Sequence, residues 1–185
     1  IAIGISSTAL GNARDALVIG KSSSVSSNAT GSVVVGQSSS IGSNMRSSVA
    51  LGVSNTMSGN GTGAVAMGRL VNVSGTSGIR VGIGSNVTAR TGVAIGLNSS
   101  ASGSGSNSVA IGSGNYASYG GVAIGKNVSQ SGSGSGFAIG RDITTSSKGM
   151  VIGINSSATR SSLAIGSGAT ASGTNSVSLG TGTVA

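Results

Sequence analysis

Apolar residues recur along this chain in short triplets closed by glycine. The pattern apolar–small–aliphatic–Gly occurs thirteen times, ending at Gly4, Gly20, Gly36, Gly52, Gly68, Gly82, Gly96, Gly112, Gly125, Gly140, Gly153, Gly166 and Gly180. The residue before each glycine is aliphatic or Met, as at Ile19, Leu51 and Met67, and the residue two earlier is again apolar, as at Leu17, Val49 and Val65. A period of two with β-branched residues predicts a short strand whose face at these two positions is buried. A second strand is predicted after each glycine. The fifth residue on is apolar in eleven repeats, for example Val25, Ile41, Met57 and Ala101. Where Gln130 or Thr145 stands there, Val128 or Ile143 supplies the apolar group two residues earlier, so positions three and five are both expected to point inward.

Successive glycines are 13 to 16 residues apart, and the extra residues fall after position five, in a second turn. Two strands and two turns in one repeat use roughly 48 Å of extended chain, which closes a flat coil. The expected fold is therefore all-β: a parallel β-roll of about 13 short coils over residues 1–185 as one domain, stacked about 4.8 Å apart. The residue between the two presumed core positions of the first strand should then face outward. It is apolar in eleven of thirteen repeats, including Ala50, Ala66, Ala94, Ala110, Ala123, Ala138 and Ala164, with Arg80 and Ser178 breaking the series. A strand apolar on both faces is buried on both, so this stripe is expected to be covered by the same stripe of another copy around a symmetry axis.

Asn107-Ser108-Val109-Ala110-Ile111-Gly112, Asn175-Ser176-Val177-Ser178-Leu179-Gly180 and Ser48-Val49-Ala50-Leu51-Gly52, each followed by a Ser/Ala-rich strand, resemble the repeat of YadA-type heads of trimeric autotransporter adhesins. The resemblance covers essentially the whole chain. It implies a left-handed β-roll that forms a homotrimer at the cell surface, on a stalk anchored in an outer membrane, and attaches to host cells, extracellular matrix proteins, cell-surface glycans or other bacteria. In that trimer Ala50, Ala66, Arg80, Ala94, Ala110, Ala123, Ala138 and Ala164 would line the interface. Three Arg80 side chains would meet near the axis, compensated either by a bound anion or by turning away along the interface to reach solvent or carbonyl acceptors. The chain carries no stalk or barrel of that family and is expected to be a piece corresponding to the head, with no membrane span of its own.

Composition narrows the chemistry. With 35 glycines, no His, Cys, Pro or Trp, and only two acidic residues, Asp15 and Asp142, the chain lacks the usual bases, thiols and metal ligands. The two aspartates lie nine coils apart, about 43 Å at 4.8 Å per step, too far for an acid–base pair. No enzyme activity and no cofactor are expected. Gly20-Lys21-Ser22 and Gly125-Lys126-Asn127 lack the remainder of a P-loop and are repeat corners. Seven Asn-x-Ser/Thr sites, such as Asn28, Asn98 and Asn155, are read as turn residues.

The net charge of +8 points to anionic partners. Lys21, Arg69, Lys126 and Arg141 follow a repeat glycine, Arg46 and Arg90 lie in second turns, and all six are placed on corners as candidate ligand-binding residues. Tyr116 and Tyr119 are candidate contacts because they are the only tyrosines of the chain. Too few aromatic residues are present for dedicated nucleic-acid recognition. The alternative to an adhesin is a structural rod, such as a phage fibre segment or an ice-binding solenoid, although no Thr-x-Thr array is present.

Overall fold

The computed structural model of the chain describes residues 1–103 and 107–185. Each repeat contributes a longer strand that runs through its glycine, such as Leu17–Lys21, Val33–Gln37 or Val93–Leu97, and a short one after it, such as Ser24–Val25, Ser40–Ile41 or Ser100–Ser102. All pairings are parallel, and each strand pairs with its counterpart one repeat away. The two ladders follow one another from Ala2–Ile3 to Val177–Leu179, which makes a parallel β-solenoid without helices among the described residues. In the repeats of Gly125 and Gly140 the two strands fuse into one, Val122–Ser131 and Phe137–Ser146. Coils are numbered below by their glycine, Gly4 marking the first.

The first corner has a fixed backbone. Each repeat glycine sits at positive φ, +138° at Gly20 and +119° at Gly96, and stacks in register on the next, Gly20 on Gly36 and Gly96 on Gly112. A Cβ at any of the twelve glycines from Gly4 to Gly166 would collide with the carbonyl oxygen of the glycine above. Two residues later the chain adopts left-handed φ again, as at Ser22, Ser38, Asn98, Asp142 and Asn155. Small polar residues and glycine tolerate that conformation, and Leu70, at φ 57°, is the bulky exception.

The interior is lined differently from the expectation. Positions three and five after the glycine do point inward, as Ser23 and Val25 or Ser39 and Ile41 do. In the longer strand, however, the middle residue is the buried one: Val18, Val34, Ala50, Ala66, Arg80, Ala94, Ala110, Ala123, Ala138 and Ala164 are all inside the roll at 0% exposure. The flanking aliphatics, Leu17 and Ile19 or Val93 and Ile95, lie on the outer face and are half-buried. The stripe expected at a trimer axis is thus the core of each roll. The physical reason is width: a coil of 13 to 16 residues is so flat that its interior takes Ala or Val from one wall and one apolar side chain from the other.

A polar ladder runs inside the first corner. Ser23 Oγ donates to the Gly36 carbonyl at 2.9 Å and accepts from the Ser39 amide at 3.3 Å, and Ser39 repeats the pair one coil higher with Gly52 and Asn55. Below Val71 and Val128, apolar residues at this position, an asparagine closes the gap, whereas below Ala169 Ser156 accepts the amide. Asn55 donates to the carbonyls of Leu51 and Gly68 and accepts from Val71 N at 3.1 Å; Asn115 does the same for Ile111, Gly125 and Val128.

Candidate binding surfaces

The roll has two faces of opposite chemistry. On the outer face of the longer strands, the aliphatic pairs stack from coil to coil: Val65 and Met67 on Ile79 and Val81, then on Val93 and Ile95. Met67, Ile79, Ile152 and Leu179 remain 39%, 44%, 39% and 58% exposed. Val53, Ile83, Leu97 and Ile154, directly after the glycine, widen the band in four coils. With about 4.8 Å per step the band extends through twelve steps, roughly 58 Å, far beyond an isolated surface aliphatic.

The outer face of the short strands carries instead hydroxyls and amides. Its pairing series reads Ser24, Ser40, Thr56, Asn72, Asn86, Ser100 and Tyr116, continued by Ser129 and Thr144. Asn72 and Asn86, two of the Asn-x-Ser/Thr positions read as turn residues, are therefore in strands, whereas Asn28, Asn98, Asn127 and Asn155 have the left-handed φ of turns. Tyr116 is half-exposed on this face.

Two shallow grooves lie on the edge formed by the second turns. One is lined by Asn44, Arg46, Asn60, Gly61, Thr62 and Thr76; the other by Ser74, Gly75, Thr76, Thr88, Arg90 and Gly103. They share Thr76 and thus run into each other, with an exposed arginine in each. Asn44 Nδ2 donates to Asn60 Oδ1 at 3.2 Å, and Thr76 Oγ1 donates to the Arg90 carbonyl at 2.8 Å, which fixes the groove walls across coils. Tyr119, exposed in the turn above at φ 49°, lies close enough to Gly103 that a Cβ there would touch its amide and ring.

The four basic residues that follow a glycine are exposed but are not in turns. Lys21 and Arg69 end the strands Leu17–Lys21 and Val65–Arg69, while Lys126 and Arg141 lie within fused strands and stack on each other. All four occupy the column of Val53, Ile83, Leu97 and Ile154, at the border of the apolar face, because the strand continues past the glycine. Arg141 is also held by Asp142 at 3.5 Å, and Asp142 accepts a hydrogen bond from Asn127. Sequence spacing put Lys21, Arg69, Lys126 and Arg141 on corners together with Arg46 and Arg90; the structure divides them between two edges.

Arg80 is the outlier of the interior. Its side chain is fully buried, its Nε, Nη1 and Nη2 have no hydrogen-bond partner, and desolvation lowers its pKa from the usual arginine value to about 9. Among the described residues there is no cluster of His, Cys, Asp or Glu able to hold a metal, and no helix long and apolar enough to cross a membrane.

Two stretches, residues 88–115 and 160–183, match the YadA head domain repeat, one copy each. They contain the strands Val93–Leu97, Ser100–Ser102 and Val109–Ser113 in one case and Leu163–Ser167, Thr170–Ala171 and Val177–Leu179 in the other, with the repeat glycines Gly96, Gly112, Gly166 and Gly180. Comparison with curated proteins gives no match. The same register of glycine on glycine joins the matched coils to all the others. The matched coils are therefore similar to the YadA head domain repeat, which belongs to a family of adhesins rather than of enzymes, and the remaining coils continue the same solenoid.

Proposed function

We propose that this chain is the adhesive head of a homotrimer displayed outside the cell and anchored through an outer membrane by other parts of the protein. The observation that carries the reading is the opposition of the two faces. An aliphatic band running the length of the roll demands a cover, and around a threefold axis three such bands cover one another while the hydroxyl faces remain in water. Lys21, Arg69, Lys126 and Arg141 then rim the seams between protomers, and the grooves with Arg46 and Arg90 lie on the accessible edge.

Hydroxyls, carboxamides and a pair of arginines, with Tyr116 and Tyr119 nearby, suit acidic glycans of cell surfaces or matrix. Repetition around the axis turns weak contacts into avidity, and three chains of +8 add a long-range attraction. Adhesion of the trimer to cultured cells and to sulfated or sialylated glycans is expected to weaken between about 50 and 500 mM salt, as the Debye length contracts from roughly 14 to 4 Å. Exchanging Arg46 and Arg90 for Glu should reduce it at least tenfold while circular dichroism stays unchanged. A trimer that adheres to none of these surfaces at low salt would instead be a structural rod.

A further inference from the structure

The roll interior holds several polar side chains and gives most of them partners, the Thr145 and Ser102 hydroxyls being neutral exceptions. Gln130 shows how. It is fully buried in the ninth coil, its Oε1 accepts from Ser118 N at 2.8 Å, and its Nε2 donates to the Gly134 carbonyl at 3.1 Å. Its bulk is matched by Gly121, where a Cβ would collide with the Gln130 amide. Gln130 can do this because it stands beside a second turn, where a carbonyl has left the parallel ladder.

Arg80 stands in the middle of a ladder. It faces Ala66 on one side and Ala94 on the other, in the strand Ile79–Ile83. Carbonyls at this level are directed along the stack and are taken: Gly78 O accepts from Val65 N and Gly92 O from Ile79 N, both at 2.9 Å. Of the interior side chains in the fifth and sixth coils, Val71, Val73, Val87 and Ala89 carry no acceptor, and the Ser85 hydroxyl is engaged with the Gly96 carbonyl at 2.8 Å. No carboxylate is near, since Asp15 and Asp142 lie in the first and tenth coils. Arg69 and Arg90, the closest charges along the chain, are exposed and of like sign. The apolar core itself is divided here, one cluster ending with Ala66, Val71 and Val73 and the next beginning with Val87, Ala89 and Ala94.

A guanidinium has five N–H donors and no acceptor capacity, and a buried cation without a partner is among the most costly groups a fold can contain. We infer that the sixth coil encloses a small inorganic anion, of the halide class, held by the Arg80 guanidinium inside the roll. Full enclosure selects against carboxylates and sugars, which carry bulk that would have to exit through the wall. The ion is a structural ligand taken up as the coils close, separate from any surface glycan site and independent of the trimer interface.

The test uses bromide as the probe. The whole chain is refolded from denaturant in bromide, in chloride or in gluconate at equal ionic strength, and thermal unfolding is followed in each. The midpoint is expected to be at least about 5 °C higher in the halides than in gluconate. Crystals grown from the bromide sample are expected to show an anomalous peak about 3.3 Å from Arg80 nitrogens. Arg80→Met, which removes the charge while keeping a long apolar stem, should abolish the difference between anions and the peak. Equal midpoints for the native chain in all three salts, or bromide found only at surface arginines, would overturn the inference. Should Arg80→Met fail to fold, the anion series and the diffraction experiment on the native chain decide the matter alone.

Discussion

Two kinds of glycine in this chain, both at positive φ, differ in what lies above the missing side chain. At Gly96 a Cβ would meet the Gly112 carbonyl oxygen, so Gly96→Ala must push adjacent coils apart, and a loss of about 3 kcal/mol or more is expected in chemical denaturation. Gly63, at φ +71°, has nothing within 4 Å of that position, and its replacement by Ala should cost only about 1 kcal/mol. Leu70 poses the opposite case. It is 54% exposed and has the left-handed φ that Ser, Asn or Gly adopts at the same place in other coils, so Leu70→Asn is expected to raise stability by about 0.5–1 kcal/mol. For Arg80 the sign follows from its lowered pKa. The folded chain binds this proton less tightly than the unfolded one, so the penalty is complete below about pH 9 and is relieved as pH rises from there towards the ordinary arginine pKa. Unrelieved, it corresponds to about 5 kcal/mol. No other titratable side chain faces Arg80 from the strands on either side, and a bound anion would shrink the effect. Stability of the native chain measured from pH 8 to 11 should therefore rise more in gluconate than in chloride, and Arg80→Met should remove that difference.

The corner ladder of Ser and Asn matters to the stacking of the coils because the corner is where backbone groups leave the sheet. Asn55 alone satisfies three of them, across two coils. Asn55→Val would strand the Val71 amide in the interior, and a loss of about 2–3 kcal/mol is expected, whereas Asn55→Ser keeps an acceptor for that amide and should cost about half as much. The repeat, the parallel stacking and the inward direction of positions three and five were legible in the sequence, since thirteen copies average out local exceptions. The asparagine substitution preceding Val71 and Val128 was equally present in the sequence, but its meaning depends on contacts one coil away. Which face of the longer strand is the interior was misjudged. Periodicity establishes that Leu17 and Ile19 share one face and Val18 the other, and it is silent on which is inside. Preference for large core residues points the wrong way when the space to be filled is only one Ala or Val deep. The same inversion moved Arg80 from a symmetry axis to the interior of each roll, while Lys21 and Arg69 moved from corners to strand ends because the strand continues past the glycine.

At the scale of the whole molecule the inversion leaves the argument for association intact and changes its residues. Apolar side chains on both faces of a strand still require two covers: the roll provides one for Ala94 and Ala110, and only a neighbour can provide the other for Ile95 and Ile111. The two faces can therefore be told apart by the same substitution placed on successive residues. Ala110→Glu would bury a carboxylate between Ala94 and Ala123, where no donor is free, and should unfold the roll around it. Ile111→Glu, its neighbour, leaves the interior untouched and puts the charge into the aliphatic band that the proposed trimer would cover. Three carboxylates would then share one level, so the chain should remain β-rich but sediment as a monomer, and pairing it with Ile95→Glu should make dissociation complete at micromolar concentration. The outcome is read by analytical ultracentrifugation beside circular dichroism. If Ile95→Glu with Ile111→Glu still sediments as the native trimer, the aliphatic band is not the interface; if the native chain is itself a stable monomer, the band has no cover and the homotrimer is excluded.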